Sequence, residues 1–407
     1  MLLPKLRSDL DMMPSPVPDR PGLLVRDFFR YSPATLIVPP PLISGLMLFN
    51  GKQTEASLQE ELSRTLGEEQ AGAVAASLVQ ALSDAGFLED ETYRILRRQR
   101  IAVFEQSPVR LAAHAGSAYP AELEPLQARM RGYLGEFAAP QLTSIALAAP
   151  HVSPEGGWQA YSAAYTQLTP DLGDRTFVIL GTSHYGQPDK FGLTKKPFET
   201  PFGTTNIALP LVEELEAQPA ALREDYCHAV EHSIEFQVVF LQSIYGPGVR
   251  ILPILCGSFA RSIRNGSFPE DDPHVAGFLG ALRSIAEREN DRLFWVMGVD
   301  MAHMGIRYGD KFTARAEQDE MSAVRDRDLL RIDRINSADA RGFWQLIKEN
   351  QDDLKWCGSS PFYTFLQAVP QARGTLQLYE QWNIDERSVV SFAGITFAHH
   401  LAKARSL

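Results

Sequence analysis

Three apolar runs that read as buried strands are each followed directly by polar side chains of the kind that bind metals. The side chains are His151, the pair Ser183-His184, and Asp300 with His303. Because function in open α/β sheets gathers at the carboxyl ends of the strands, these side chains can converge at one sheet edge. Neutral imidazole is the commonest metal ligand in proteins. A single histidine after a strand is more often structural, but three in the same topological position predict a metal site.

Two further segments could complete this site. His232 lies in Glu231–Glu235, which we interpret as the opening of a helix whose apolar stripe leaves His232 off the core face. An acidic residue beside a histidine is equally typical of an ordinary helix start. Cys357 lies at a glycine-containing turn before a helix expected to begin near Phe362. A helix N-terminus lowers the pKa of a thiol and favours the thiolate that binds metal, although an isolated cysteine is more often inert and buried.

The composition favours some classes of protein and excludes others. The 407 residues are 44% apolar and 22% charged, which predicts a globular chain of two domains. A net charge of −11 argues against a nucleic-acid partner, because phosphate binding needs clustered Lys and Arg. No apolar stretch is long enough to span a membrane, and the first residues lack the pattern of a secretory leader. Cys227 and Cys256 are interpreted as structural, since the cysteines follow no disulfide or zinc-ribbon spacing. We expect a cytoplasmic protein without a membrane partner.

The first hundred residues predict a small helical module behind a loosely ordered arm. Four prolines with mixed charge indicate a flexible arm over residues 1–19. Within 20–105, apolar periodicity and stop residues predict one helix from Thr54 to Gly67 and a second from about Gln70 to Gly86. Residues 87–95 read as a short hairpin, and helices followed by a hairpin are typical of a winged helix.

The same module resembles the PqqD-like fold. The matching stretches are Leu36-Ile37-Val38-Pro39-Pro40, Leu48-Phe49-Asn50-Gly51 and Leu82-Ser83-Asp84-Ala85-Gly86-Phe87-Leu88. The resemblance implies a module that binds a peptide or a neighbouring enzyme in a peptide-modification system. A generic winged helix used only for packing or dimerisation accounts for the pattern equally well.

Beyond this module, over 106–407, apolar runs alternate with helical stretches, which predicts an α/β sheet. Nearly continuous Val, Ile, Leu and Phe in the runs indicates strands buried on both faces. The predicted strands are Thr143–Ala149, Thr176–Leu180, Arg250–Leu255, Leu293–Val299 and Ser388–Phe397.

The segments that carry the candidate ligands resemble the motifs of the Memo family, and they occur in family order. The motifs are Ala115-Gly116-Ser117-Ala118-Tyr119-Pro120, Ala149-Pro150-His151, Leu180-Gly181-Thr182-Ser183-His184, Thr200-Pro201-Phe202-Gly203, Glu231-His232-Ser233-Ile234-Glu235, Asp300-Met301-Ala302-His303 and Cys357-Gly358-Ser359-Ser360-Pro361. Together they cover about residues 108–400. Within the family, the chain is most similar to the AmmeMemoRadiSam system protein B.

This resemblance implies a three-layer α/β/α fold shared with class III extradiol dioxygenases, which use non-haem iron(II). It implies that His151 and His184 bind the metal and that Cys357 stands where the dioxygenases have a carboxylate. His303 matches the acid–base position, and Asp300 would line the pocket with it. Four further residues of the same motifs are expected at the pocket or behind the ligands: Ser183, Tyr185, His232 and Glu235.

The chain also departs from the family pattern. A thiolate is softer than a carboxylate, so copper and zinc become candidates beside iron(II). Glu155 lies in an unusual loop after His151. It could approach the metal or face solvent, and we favour the solvent-facing position. His114 stands at an unusual position before Ala115-Gly116 and is interpreted as structural.

Three functions are consistent with these residues. The first is an iron-dependent redox enzyme acting on a small molecule or a peptide, with His303 moving protons. The second is a metal-binding adaptor that presents a peptide or a partner to a radical-SAM enzyme. The third is a zinc-dependent hydrolase in which Asp300 or His303 is the base.

Overall fold

A computed structural model of the chain describes residues 1–135 and 144–399. The chain forms two compact units, Met1–Ser107 and Pro108–Leu407. No helix in these described ranges combines the length and the apolarity that crossing a membrane requires.

The smaller unit consists of a three-stranded antiparallel sheet followed by helices. Its elements are β1 (Leu10–Pro14), β2 (Leu23–Asp27), β3 (Thr35–Val38), α1 (Ile43–Leu46), α2 (Glu55–Leu66), α3 (Glu68–Asp84) and α4 (Glu91–Gln106). The helices α2 and α3 confirm the two predicted ones, and Thr54 caps α2 by accepting from the Ser57 N–H at 3.2 Å. Leu58, Leu62 and Leu82 are fully buried in the core of this unit.

Two expectations for this unit differ from the structure. Residues 1–19 contain β1, whose backbone pairs with β2 over five residues, so this stretch is not a loose arm. The hairpin predicted for 87–95 is wrong, because α4 begins at Glu91. The Asp90 carboxylate accepts from the Tyr93 N–H at 3.0 Å and caps the helix, which provides the local reason.

The larger unit is built on one mixed sheet of ten strands. Eight strands follow the order β10-β6-β11-β5-β12-β4-β15-β13, with β14 paired to β15 and β9 to β11. A two-stranded ribbon, β7-β8, is separate. The strands are β4 (Ser144–Ala149), β5 (Thr176–Thr182), β6 (Phe191–Leu193), β7 (Glu199–Thr200), β8 (Gly203–Thr204), β9 (Asn206–Ile207), β10 (Ala221–Leu222), β11 (Arg250–Cys256), β12 (Leu293–Gly298), β13 (His303–Gly305), β14 (Ala372–Asp385) and β15 (Ser388–His399). All five predicted strands are present, although Thr143 lies outside the described residues.

Helices cover both faces of this sheet. They are α5 (Leu123–Leu134), α6 (Pro154–Tyr165), α7 (Leu209–Glu216), α8 (Glu235–Tyr245), α9 (Ala260–Asn265), α10 (Pro273–Glu289), α11 (Glu320–Asn336), α12 (Ala340–Lys348) and α13 (Ser359–Ala368). Successive strand residues point to opposite faces. Phe177 contacts Tyr245 of α8, whereas its neighbour Val178 belongs to the core that includes α10 and α13. The three-layer α/β/α architecture is thereby confirmed.

The order of the central strands brings the polar strand ends together. The parallel neighbours β5, β12 and β4 end at Thr182, Gly298 and Ala149, respectively. The polar residues that follow them therefore lie at the same edge of the sheet.

Candidate metal centre

His151 follows β4 directly and is held in one orientation by its buried neighbours. Its ring is 2% exposed, and its Nδ1 lies 2.9 Å from the backbone oxygen of Gly298. Because a carbonyl oxygen only accepts, Nδ1 carries the proton and Nε2 presents a lone pair. Burial, and then the nearby His184 and His232, lower the pKa of His151 well below its ordinary value. The ring is therefore the neutral imidazole that a metal binds.

His184 follows β5 and is oriented by a buried carboxylate. Its Nδ1 lies 3.0 Å from Glu231 Oε1, and its backbone N–H donates to Glu231 Oε2 at 2.9 Å. Burial lowers the pKa of His184, but Glu231 and Cys357 outweigh it and raise the pKa well above the ordinary value. Burial likewise opposes ionisation of Glu231, but His184 and His232 hold its pKa well below the ordinary value. A carboxylate on the far nitrogen of an imidazole is a typical support for a metal ligand.

His232 brings a third imidazole to the same place. The sequence predicted that His232 lies in the first turn of a helix. The helix α8 begins only at Glu235, so His232 lies in the connection before it. Its Nδ1 is 3.1 Å from Glu231 Oε1, and its ring stacks on that of His184 at 5.0 Å between centroids. One ligand atom from each of His151, His184 and His232 lies within 4.8 Å of the other two. The three residues could hold a metal ion.

Cys357 contacts the histidines from the turn before α13, which begins at Ser359 rather than near Phe362. Its Sγ lies 3.3 Å from His151 Nε2 and 3.5 Å from the backbone oxygen of Asp300. Burial raises the pKa of the Cys357 thiol, although a hydrogen bond with His184 opposes the rise. The expected effect of the helix N-terminus is therefore outweighed in the metal-free chain, because desolvation penalises the charged thiolate.

Asp300 and His303 lie beside the histidine cluster. Asp300 accepts from the His151 and Val152 N–H groups at 2.8 and 3.2 Å, and burial raises its pKa. His303 begins β13, and its Nδ1 lies 2.9 Å from the Met301 oxygen and 3.2 Å from the Lys355 oxygen. Burial lowers the pKa of His303 to about 4, so its ring is neutral at pH 7. Its Nε2 is then a proton acceptor.

The other residues that the sequence singled out have different surroundings. Glu235 is fully buried but engages Arg110 and Tyr119, so its carboxylate anchors the segment before α5 instead of contacting a candidate ligand. The Ser183 N–H donates to the Cys256 oxygen at 2.9 Å. The ring of Tyr185 lies 6.0 Å from that of His184.

The structure also locates two residues at which the sequence departs from the family pattern. Glu155 is exposed in the first turn of α6, which agrees with the solvent-facing position favoured from the sequence. His114 Nε2 donates to the Val230 oxygen at 2.9 Å, and its ring lies 5.6 Å from that of His232. His114 thus bonds to the backbone, and its interpretation as structural stays a prediction.

Glu231 is the functional residue that the sequence analysis did not single out. Its carboxylate accepts from the backbone N–H groups of His184, His232 and Ser233 and contacts both ring Nδ1 atoms. The available signal was its position directly before His232, since an acid next to a histidine is a candidate orienting group. The interpretation of 231–235 as a helix start concealed it.

The donor chemistry of this cluster fits a transition metal. Nitrogen and sulfur ligands bind zinc at about 2.0–2.1 and 2.3 Å, which at a tetrahedral angle separates the two donors by about 3.5 Å. The 3.3 Å between Cys357 Sγ and His151 Nε2 agrees with this spacing. Imidazole suits iron, copper, nickel and zinc, and thiolate favours the softer of these ions.

Comparisons with known proteins match the larger unit to one family. A family model described as Memo-like protein matches residues 110–396. A MEMO1 family protein of Thermus thermophilus is 28% identical over 267 residues, covering 63% of this chain and 73% of the relative. One of Thermococcus kodakarensis is 31% identical over 259 residues, covering 61% and 84%, respectively. One of Aquifex aeolicus is 23% identical over 371 residues and covers 89% of this chain and 92% of the relative, so its match extends into the smaller unit.

Proposed function

We propose, on the premise that this chain belongs to the Memo-like protein family, that it binds one transition-metal ion through His151, His184 and Cys357. The observation that carries the proposal is the convergence of imidazole donors from separate strand ends on one position at the sheet edge. Cys357 is the third donor because its Sγ lies 3.3 Å from His151 Nε2. His232 is the alternative third donor, since its ligand atom lies within 4.8 Å of the other two imidazoles.

Iron(II) is the metal we propose, with copper or zinc as the alternatives. Two imidazoles leave the choice open among these ions, and a thiolate shifts the preference toward the softer ones. Elemental analysis of protein purified without oxygen decides between them. A stoichiometric content of one ion is expected, and zinc alone would favour the hydrolase over the redox enzyme.

The activity we propose is redox chemistry on a small molecule or a peptide in the cytoplasm. When bound, the ion supplies Lewis-acid and one-electron chemistry. His303 accepts a proton at Nε2, because its Nδ1 proton is held by the Met301 and Lys355 oxygens. Asp300 fixes the backbone of His151 and so keeps the ligand in place. Oxygen uptake with a panel of catechols tests the dioxygenase-like reaction, and its absence in iron-loaded protein favours the adaptor or the hydrolase.

Metal binding itself is tested by substitution of the ligands. His151→Ala and His184→Ala are each expected to abolish stoichiometric binding, measured by elemental analysis after gel filtration, while the circular dichroism spectrum is unchanged. His274→Ala is the matched control, because His274 is exposed on α10. Stoichiometric metal in either of the first two variants contradicts the proposal.

The third donor is tested by comparing Cys357→Ser with His232→Ala. Cys357→Ser is expected to weaken binding by about tenfold or more, because a neutral hydroxyl is a poorer donor to a soft metal. Metal should also protect Cys357 from alkylation, since ligation requires the thiolate and occupies it. If His232→Ala loses the metal while Cys357→Ser retains it, His232 is the third ligand and Cys357 only lines the site.

For the smaller unit we propose a PqqD-like role, in which it presents a peptide to a radical-SAM partner of the AmmeMemoRadiSam system. The support is the resemblance in 36–88 and a small sheet in which β1 and β3 are the end strands, since extended peptides can add to such an edge. The Aquifex relative carries sequence that matches part of this unit. Residues 20–105, together with the paired strand β1, are proposed to fold as a domain. Binding of a peptide panel to the isolated fragment 1–107 tests both statements, and an unfolded fragment contradicts the second.

A further inference from the structure

Asp328, on α11, is a fully buried carboxylate outside the candidate metal centre. It accepts three side-chain hydrogen bonds, one from the turn before α13, one from β14 and one from β15. The donors are Trp356 Nε1 at 2.6 Å, Ser391 Oγ at 2.6 Å and the Tyr379 hydroxyl at 2.8 Å. A buried group with so many charge-assisted contacts fixes its neighbours strongly.

Through Ser391, Asp328 reaches the segment that joins Asp300 to His303. Ser391 Oγ accepts from the Ala302 N–H at 2.9 Å, and the Ser391 backbone oxygen accepts from the Met301 N–H at 2.8 Å. The Ser391 N–H in turn donates to the Ala302 oxygen at 2.9 Å. Because Ser391 gives its hydroxyl proton to Asp328, a lone pair of its oxygen is directed at Ala302.

Through Trp356, the same carboxylate reaches the turn that carries Cys357. The indole of Trp356 is 1% exposed, and its Nε1–H donates to Asp328. Trp356 is adjacent in sequence to Cys357, so fixing the indole restricts the backbone from which the thiol projects. The Gly358 N–H of this turn also donates to the Asp300 oxygen at 3.0 Å, which joins the two segments directly.

We propose that Asp328 is a positioning residue for the metal centre, which sets the Asp300–His303 segment through Ser391 and the Cys357 turn through Trp356. This inference rests on the proposed function for its consequence, which is metal affinity. The positioning itself is a property of the metal-free chain. A carboxylate suits this role because it offers only acceptors to three donors.

An amide in the same place would not serve. Asp328→Asn keeps the size of the side chain but replaces one acceptor oxygen by an NH2 group. If the remaining oxygen accepts from Trp356, the amide faces the Tyr379 and Ser391 hydroxyls and turns the Ser391 proton away. One of the two connections is therefore lost in either orientation of the amide.

The experiment compares Asp328→Asn with Tyr379→Phe. Tyr379→Phe is the matched control because it removes one donor from the same carboxylate while the Ser391 and Trp356 donors remain. Hydrogen exchange of peptides covering residues 301–303 and 356–358 is measured in the metal-free proteins, and metal affinity is measured by competition with a chelator. In Asp328→Asn, exchange in both peptides should rise about tenfold, and affinity should fall about tenfold, as for loss of a group that supports ligands. In Tyr379→Phe, each should stay within about twofold of the parent.

Each outcome bears on the proposal. It is overturned if folded Asp328→Asn exchanges like the parent in both peptides, or if Tyr379→Phe changes them as much. If Asp328→Asn does not fold, two other variants decide. Ser391→Ala must raise hydrogen exchange only in the peptide 301–303, and Trp356→Phe must raise it only in the peptide 356–358. If neither variant does so, the proposal is overturned. A parent protein that binds no metal refutes the proposed function, while the exchange data still decide the role of Asp328.

Discussion

Replacing Glu231 by glutamine removes one acceptor from a carboxylate that serves two candidate ligands. Oε1 accepts from the backbone N–H groups of His232 and Ser233 and contacts the Nδ1 atoms of His184 and His232. Oε2 accepts from the His184 N–H at 2.9 Å and lies 3.1 Å from its Nδ1. Glutamine can keep an oxygen in only one of these positions, so its amide must face an N–H of His184 or several donors at once.

The size of the effect follows from that mismatch. Leaving one buried donor unsatisfied costs about 1–3 kcal/mol. In the metal-free variant the His184 ring can turn to relieve the contact, and metal binding has to turn it back. At about 1.4 kcal/mol for each factor of ten, the affinity should fall about fivefold to a hundredfold. Loss of the group that supports a ligating histidine typically costs about 10–100-fold.

Metal affinity of Glu231→Gln is measured by competition with a chromophoric chelator, beside Glu235→Gln as the matched control. Glu235 is equally buried but pairs with Arg110, so its substitution should lower the free energy of unfolding by about 3–5 kcal/mol. Its metal affinity should stay within about twofold of the parent, since it contacts none of the candidate ligands. Unchanged affinity in folded Glu231→Gln refutes the reasoning, and so does an equal loss in Glu235→Gln.

Three further predictions concern single groups. A Cβ at Gly298 would lie 2.1 Å from the Ser233 oxygen, so Gly298→Ala should lower the free energy of unfolding by about 1–3 kcal/mol, and an unchanged melting temperature contradicts this. Burial lowers the pKa of His303 to about 4, so its ring signals in NMR should not titrate between pH 8 and 5. A His303→Gln variant assigns these signals, and a titration midpoint near 6.5 contradicts the prediction. Since that pKa lies below the ordinary 6.5, the stability that His303 contributes is lost as the pH falls from 6.5 toward 4. Alkylation of the native metal-free protein should label Cys357 first, because Cys227 and Cys256 are buried whereas Cys357 is partly exposed; labelling in the reverse order contradicts this.

The positions of the candidate ligands were predictable because they depend on strand ends. Buried parallel strands are recognisable as continuous apolar runs, and the residue after each run lies at a known edge of the sheet. His151 and His184 follow β4 and β5, which border β12 on either side. Their proximity therefore follows from topology, without knowledge of any side-chain contact.

Other parts of the fold were less predictable because their sequence patterns are ambiguous. The strand β14 is fourteen residues long, but its polar and partly buried pattern, Leu376-Gln377-Leu378-Tyr379-Glu380, lacks the apolar run that identifies a central strand. Residues 87–95 contain Thr92, Tyr93 and Ile95, which favour a strand, yet the cap at Asp90 starts a helix there. A local cap decided the second case, and pairing with β15 decided the first.

The roles of Glu231 and Cys357 depend on burial, which no motif states. Four histidines share one arrangement, in which Nδ1 faces a fixed acceptor: the Gly298 oxygen for His151, Glu231 for His184 and His232, and the Met301 oxygen for His303. This arrangement leaves Nε2 as the nitrogen that each ring can offer to an ion, and in His151 that atom already lies 3.3 Å from Cys357 Sγ. The orientation of the rings is therefore established before any ion arrives. Protons oppose the ion instead, because Glu231 favours a protonated His184 and burial favours a protonated Cys357. Because the fold has already met the entropy cost of orienting the rings, metal affinity is the free energy of the metal–ligand bonds less the free energy of displacing those protons.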